Sequence, residues 1–439
     1  MPVTINDPLT LPSGLTLQNR LVKAAMTECI AGPDNQAHDG HVRLYGRWAD
    51  GGLGLQITGN VQVDRMHLED PANVVIDGPV SNQYMEMLAA WAAAASRNGC
   101  LSVVQLSHAG RQTPKVVNSE PFGPSDVVLN MPGGQFAQPT PMSEDDISAL
   151  LSKFAHAARV CRDAGFNGVQ IHAAHGYLIS QFLSPIANRR RDQWGGSLEN
   201  RARLLIESIR AVKATTGDGF SVSAKLNSSD FQKGGYTFAE CLSVIDMLNA
   251  EGLDFLELSG GNYEQPKMAG IEGFQPAEAE DVAESTRARE AYFADYTKQV
   301  KKRSKMPIMV TGGFRSRVAM DAVLSDGEAD LIGLARPLCA DPDAPQKLIS
   351  GEIDSTTDWE NQLSLGPTRF LGRNSPFGLI KAINGFGMMG WFAAQIEHLA
   401  RGEAPNTELG VFSAFVGSQN RRKEAAKAYK AALDETKVG

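Results

Sequence analysis

The chain has 439 residues, of which 42% are hydrophobic and 21% charged, and a formal net charge of -8. That is enough apolar chain to bury a full core, and a negative balance with no Lys/Arg block argues against nucleic acid as a partner. Five scattered cysteines with no CxxC fit a reducing compartment and exclude a cysteine-built zinc or iron–sulfur site of the usual spacing. With no basic, apolar leader over Met1 to Asn19 and no apolar run of about 18 residues, the expectation is a cytoplasmic protein with no membrane partner.

In chain order, strand-like and helix-like segments alternate. Leu21 to Met26 reads as a strand, and His41 to Gly51 as a helix stopped by two glycines. Leu53 to Val63 is apolar and β-branched. Ser81 to Asn98 has helical spacing, Leu101 to Ser107 is a strand, and Ser143 opens a helix with a capping box that runs to Ala164. Gly168 to His172 is the fourth strand. Helix then follows strand four more times: helices at Leu198–Thr215, Thr237–Ala250, Ala288–Arg303 and Arg315–Ser325, strands at Phe220–Leu226, Asp254–Leu258, Pro307–Thr311 and Asp330–Leu334. A short helix at Pro342–Ile349 closes the series. Eight such units predict an α/β fold, a (β/α)8 TIM barrel, over residues 1–350.

Two connections are long. Ala109 to Pro141, after the third strand, is rich in Pro, Gly and Asn and reads as a lid excursion. Gly260 to Thr286 is long and acidic. Residues 351–439 read as a helical extension, with helices at Pro376–Arg401 and Ser418–Lys437. Its Gly-rich apolar stretch, Gly385 to Phe392, predicts packing on the barrel or on a second subunit of a homo-oligomer, and is too short and too weakly basic for a membrane role.

In a barrel of this kind the chemistry gathers at the C-terminal ends of the strands. There the fourth strand delivers His172, His175 and Tyr177, with small residues between them. A tyrosine of ordinary pKa, about 10, keeps its proton at neutral pH and suits a general acid. Two histidines can polarise one substrate oxygen; equally, they can be satisfied core histidines, or a metal pair completed by Glu257 or Asp254. Lys225, inside a strand, must face a pocket or pair with Glu257 or Asp254. Gly312 and Gly313, with Arg336 after the next strand, offer open backbone amides and a guanidinium, a phosphate site in this position or two ordinary turns.

The chain resembles the old yellow enzyme family of FMN-dependent NADH:flavin oxidoreductases. The resemblance rests on an ordered set: Asn19 to Thr27, Gln105 to Arg111, His172 to Leu178, Gln181 to Pro185, Arg191 to Arg201, Thr311 to Phe314 and Gly333 to Pro337. It implies FMN bound in the barrel mouth and NAD(P)H as co-substrate. Ala25 and Met26 would lie along the ring, Thr27 would bond near its C4 carbonyl, and Gln105 would bind the pyrimidine edge. Lys225, in place of a usual arginine, would stabilise the reduced flavin, and Gly312, Gly313, Ala335 and Arg336 would hold the phosphate. His172 and His175 would grip the activating oxygen of a small electron-poor alkene, and Tyr177 would supply the proton while the flavin supplies hydride. Both substrates would use one pocket in turn, which implies ping-pong kinetics. No metal is implied. A flavin dehydrogenase or demethylase on the same barrel, a barrel that binds without turnover, and a metal-dependent hydrolase are the other readings.

Overall fold

A computed structural model of the chain describes residues 2–131, 133–260 and 296–438. Eight strands form a closed parallel barrel: β1 Leu21–Lys23, β2 Leu55–Gln62, β3 Leu101–Ser107, β4 Gly168–Ala173, β5 Ser221–Asn227, β6 Leu256–Ser259, β7 Ile308–Thr311 and β8 Leu331–Leu334. Closure is made by β8 on β1, where Leu334 pairs with Lys23, and by β1 on β2, where Val22 pairs with Leu55. Every residue of β2, β4, β5 and β6 is buried, as strands covered by helices on one side and filled on the other must be.

The first strand stops at Lys23, three residues short of the predicted end. Glu28 accounts for the departure: its carboxylate receives the Gly59 N–H at 2.9 Å and the Tyr45 hydroxyl, which draws residues 24–28 across the top of β2. The capping box at Ser143 is present, with Asp146 reciprocating, and Thr237 and Glu240 form another. Gly51 caps the Asp39–Asp50 helix as expected. The end opposite the candidate site is plugged by a hairpin, Leu9–Thr10 on Thr16–Leu17, whose Leu11 and Leu17 pack on Val22, Leu55, Val103 and Leu331.

The excursion after β3 is pinned by a short parallel pair, Phe122–Gly123 with Thr140–Pro141, and by a bridge from Pro114 to Phe136. The predicted helix at Ala288–Arg303 is helical over its described part, 296–303, while the acidic connection after Gly260 lies outside the described residues.

The extension carries helices Gly378–Arg401 and Val411–Val438; the second starts seven residues before its predicted origin. Its glycines have a packing purpose. A Cβ on Gly387 would come within 2.6 Å of the Val411 carbonyl oxygen, and one on Gly390 within 2.6 Å of that of Ala414. The helix pair also grips the barrel: Trp391 is fully buried, Arg43 Nε donates to the Ala400 carbonyl at 2.8 Å, and Tyr429 hydroxyl donates to that of Arg65 at 2.9 Å. Phe377, Leu379, Phe386, Met389 and Phe412 of the extension remain exposed. Among the described residues no helix is long and apolar enough to cross a membrane.

Candidate active site

β4 carries His172 into the barrel mouth, and the turn after it brings the other two rings back to it. His175 and Gly176 both adopt positive φ, 62° and 77°. A histidine in this region is uncommon and is held there by its surroundings. Here Asn227 Oδ1 accepts the His175 N–H at 3.1 Å, and Gln112 Nε2 donates to the His175 carbonyl at 3.1 Å. The result is three rings edge to face: His172 and His175 centroids lie 5.1 Å apart, His172 and Tyr177 4.8 Å. Tyr177 is also the N-cap residue of the short Leu178–Leu183 helix, which fixes its backbone.

The two histidines are wired differently. His172 Nδ1 accepts the Ala174 N–H at 3.2 Å, which leaves the neutral ring's proton on Nε2. His175 uses Nε2 against the Ser259 hydroxyl, 2.6 Å away. Burial first, then the Lys225 charge, holds both well below the usual histidine pKa, so both are neutral at physiological pH.

Beside them lies a buried polar network. In register, Lys225 of β5 has His172 on one side and Glu257 on the other. Of the two acids expected to pair with Lys225, Glu257 does so, at 3.0 Å; Asp254 is taken by the backbone N–H groups of Ser13 and Val222. Glu257 also accepts from Thr311 Oγ1 at 2.7 Å and from Gln170 Nε2 at 3.0 Å, and Gln170 Oε1 accepts from Gln105 Nε2 at 2.5 Å.

Thr27, Ala25 and Met26 stand half-buried at the end of β1. Thr27 Oγ1 donates to Glu69 Oε1 at 2.6 Å, and Asn60, the register neighbour of Gln105, donates to the same oxygen at 2.7 Å. Met26 Sδ lies 3.6 Å from Cys339 Sγ. At the ends of β7 and β8, Gly312 and Gly313 have φ of 119° and 81°, beside Ala335 and Arg336. Arg336 Nη1 lies 3.0 Å from Glu360, which also binds Arg315.

The sequence matches the family described as NADH:flavin oxidoreductase / NADH oxidase over residues 4–354. The chain belongs to this family. It is 38% identical over 359 residues to an NADH-dependent flavin oxidoreductase, iliE, of Neonectria sp., covering 78% of this chain and 46% of that protein. It is 35% identical over 410 residues to another, iccE, of Talaromyces variabilis, covering 90% of this chain and 97% of the relative. Among solved structures, an old yellow enzyme homologue from Zymomonas mobilis superposes with a TM-score of 0.66 at 26% identity, covering 80% of this chain and 94% of that one. A 2-naphthoyl-CoA reductase complex gives 0.71 at 25% identity, covering 80% and 53%. The family is of the old yellow enzyme type.

Four residues of this oxidoreductase's mouth carried no sequence signal. Ser259 and Glu360 are ordinary polar residues until the fold sets them beside His175 and Arg336. Asp64 and His67 join His108 in a buried group that has the composition of a metal site. Its hydrogen bonds say otherwise. His67 Nε2 accepts the Phe122 N–H at 3.0 Å and His108 Nδ1 accepts that of Gly110 at 3.1 Å. The ring nitrogens nearest Asp64, His67 Nδ1 at 3.3 Å and His108 Nε2 at 3.9 Å, therefore carry protons and not lone pairs. Lys153 Nζ, 2.6 Å from Asp64, adds a full positive charge. The cluster is a carboxylate clamp, and the stacking of His67 on Phe122 ties the excursion to the barrel rim.

Proposed function

We propose that this protein takes hydride from NAD(P)H onto bound FMN and reduces the C=C bond of α,β-unsaturated carbonyl or nitro compounds. The observation that carries the reading is the ring cluster at the end of β4, with the His172 proton forced onto Nε2 by the Ala174 N–H. A neutral N–H donor and a phenol within one turn suit an oxygen that gains negative charge and a carbon that needs a proton.

The residues present fit FMN. Gln105 offers an amide of fixed orientation, Lys225 a buried ammonium, and Gly312 and Gly313, with Ala335 and Arg336, open backbone beside a guanidinium. Ala25, Met26 and Thr27 would line the ring. FMN, when bound, supplies the two-electron chemistry that links the nicotinamide to the alkene. His172 and His175 hold the substrate oxygen and stabilise the charge that builds on it. Tyr177 gives its phenolic proton to the α-carbon and is recharged from solvent. The small residues Ala173, Ala174 and Gly176 leave room for both substrates in turn.

In this proposal residues 1–350 form the catalytic barrel, and residues 351–439 pack against it and support Arg336 through Glu360. The protein works in the cytoplasm. The test is anaerobic. FMN-loaded protein mixed with NADH should bleach near ~450 nm and regain colour on adding cyclohexenone, with parallel lines in double-reciprocal plots. Protein that binds no flavin, or reduced protein that the alkene leaves bleached, removes the proposal; recovery with an amine substrate's oxidised product alone would favour a demethylase.

A further inference from the structure

Glu257 has no role in the scheme above, yet three side chains meet at it. Its Oε1 receives Lys225 Nζ at 3.0 Å and Thr311 Oγ1 at 2.7 Å, and its Oε2 receives Gln170 Nε2 at 3.0 Å. The residue is fully buried. A buried carboxylate is tolerated when donors and an opposite charge compensate it, and here three donors, one of them a cation, do so.

An ionised carboxylate accepts and never donates. Gln170 must therefore turn its nitrogen toward Glu257 and its oxygen away. That oxygen accepts from Gln105 Nε2 at 2.5 Å, so the Gln105 amide is oriented as well. One charge at the end of the chain dictates the direction of both amides. A glutamine at position 257 could donate as easily as accept, and the preference for one direction would vanish.

We propose that Glu257 is a positioning residue for the cofactor. Through Gln170 it presets the Gln105 amide to read the imide edge of the flavin ring, and by pairing with Lys225 it restrains the positive charge beside that edge. The proposal rests on the flavin reading above. An imide edge alternates an N–H donor with C=O acceptors. The oriented Gln105 amide offers the matching pair, an oxygen and its second N–H, side by side. The Lys225–Glu257 pair is neutral as a unit. A lone ammonium in this dry setting would favour the reduced, anionic ring more strongly.

The experiment compares the parent, Glu257→Gln and Gln170→Met, each loaded with FMN or with FMN methylated at N3. The parent should prefer FMN by about tenfold or more, the size of one well-placed buried hydrogen bond. Both variants should lose most of that preference. Only Glu257→Gln should also move the midpoint potential of bound FMN to more positive values, because it alone unmasks Lys225; Gln170→Met cuts the relay and leaves the ion pair. Variants that keep the parent's preference, or an unchanged potential in Glu257→Gln, overturn the proposal. Should Glu257→Gln not fold, Gln170→Met decides the imide half alone. A parent that binds no flavin at all sinks the flavin reading instead, which keeps the two failures distinct.

Discussion

His175 Nε2 lies 2.6 Å from Ser259 Oγ, across the barrel mouth from β4 to β6. The hydroxyl can donate to that nitrogen or accept from it, so the contact anchors the ring in either tautomer. His172 is fixed further, in its tautomer as well, because its Nδ1 accepts the Ala174 N–H. Of the two histidines that hold the substrate oxygen in the proposed scheme, His175 is thus held by a side chain and His172 by the backbone. Ser259→Ala removes one of the two devices. It should lower kcat/KM for cyclohexenone by a few-fold to about tenfold, the scale of one hydrogen bond, and leave the rate of flavin reduction by NADH unchanged. Rapid-mixing kinetics of the two half-reactions separate these outcomes.

Burial makes a second prediction, about acid. His41 is pushed down to about 3, and His108, His172 and His175 are held well below their usual value, in each case chiefly by burial. In the unfolded chain these four titrate near the ordinary histidine value of about 6.5. Below that pH the unfolded state binds more protons than the folded one, so stability falls as pH falls. The loss should begin between pH ~7 and ~5, before the carboxylates titrate. Melting temperatures measured over this range should decline steadily; a flat profile contradicts the neutral, buried assignment.

Asp64 offers a third. It is buried and its carboxyl is held well below the carboxylate range, against the cost of burial, by His67, His108 and Lys153. Asp64→Ala removes the acceptor of Lys153 Nζ and of the Met66 N–H and should cost about 1–3 kcal/mol in denaturant melts. Because the ring nitrogens nearest Asp64 carry protons and not lone pairs, added zinc or a chelator should leave the parent's melting temperature where it was. A clear zinc-dependent rise contradicts the clamp.

The extension gives a fourth. Gly390 lets helix Gly378–Arg401 approach Val411–Val438 so closely that a Cβ would reach 2.6 Å from a backbone carbonyl oxygen. Gly390→Ala must push the helices apart and should destabilise the protein by about 1–3 kcal/mol, measured by chemical denaturation. Gly378→Ala, in the first turn of the same helix, where a Cβ meets nothing within 4 Å, is the control and should be nearly silent.

The barrel was legible in the sequence because its strands are short, buried and separated by helices of ordinary length. Strand ends were less legible: nothing in Leu21 to Met26 announces that Glu28 will be drawn under Gly59 and Tyr45. Within the site, His172, His175 and Tyr177 share one turn, so spacing alone brought them together. The partner of Lys225 stayed open between Glu257 and Asp254, because only the parallel register of β5 on β6 sets Lys225 opposite Glu257. Ser259, Glu360 and the Asp64 clamp come from separate loops and strands, and no spacing rule joins them. The glycines of 385–390 were visible as a pattern, but their reason is the carbonyl oxygens of another helix.

Tyr177→Phe tests the central claim most directly. Under anaerobic rapid mixing, the variant's FMN should be reduced by NADH at nearly the parent rate. Its reoxidation by cyclohexenone should slow by at least ~100-fold, the usual scale of a lost general acid. Equal reoxidation rates in parent and variant would contradict the account and remove Tyr177 as the proton donor.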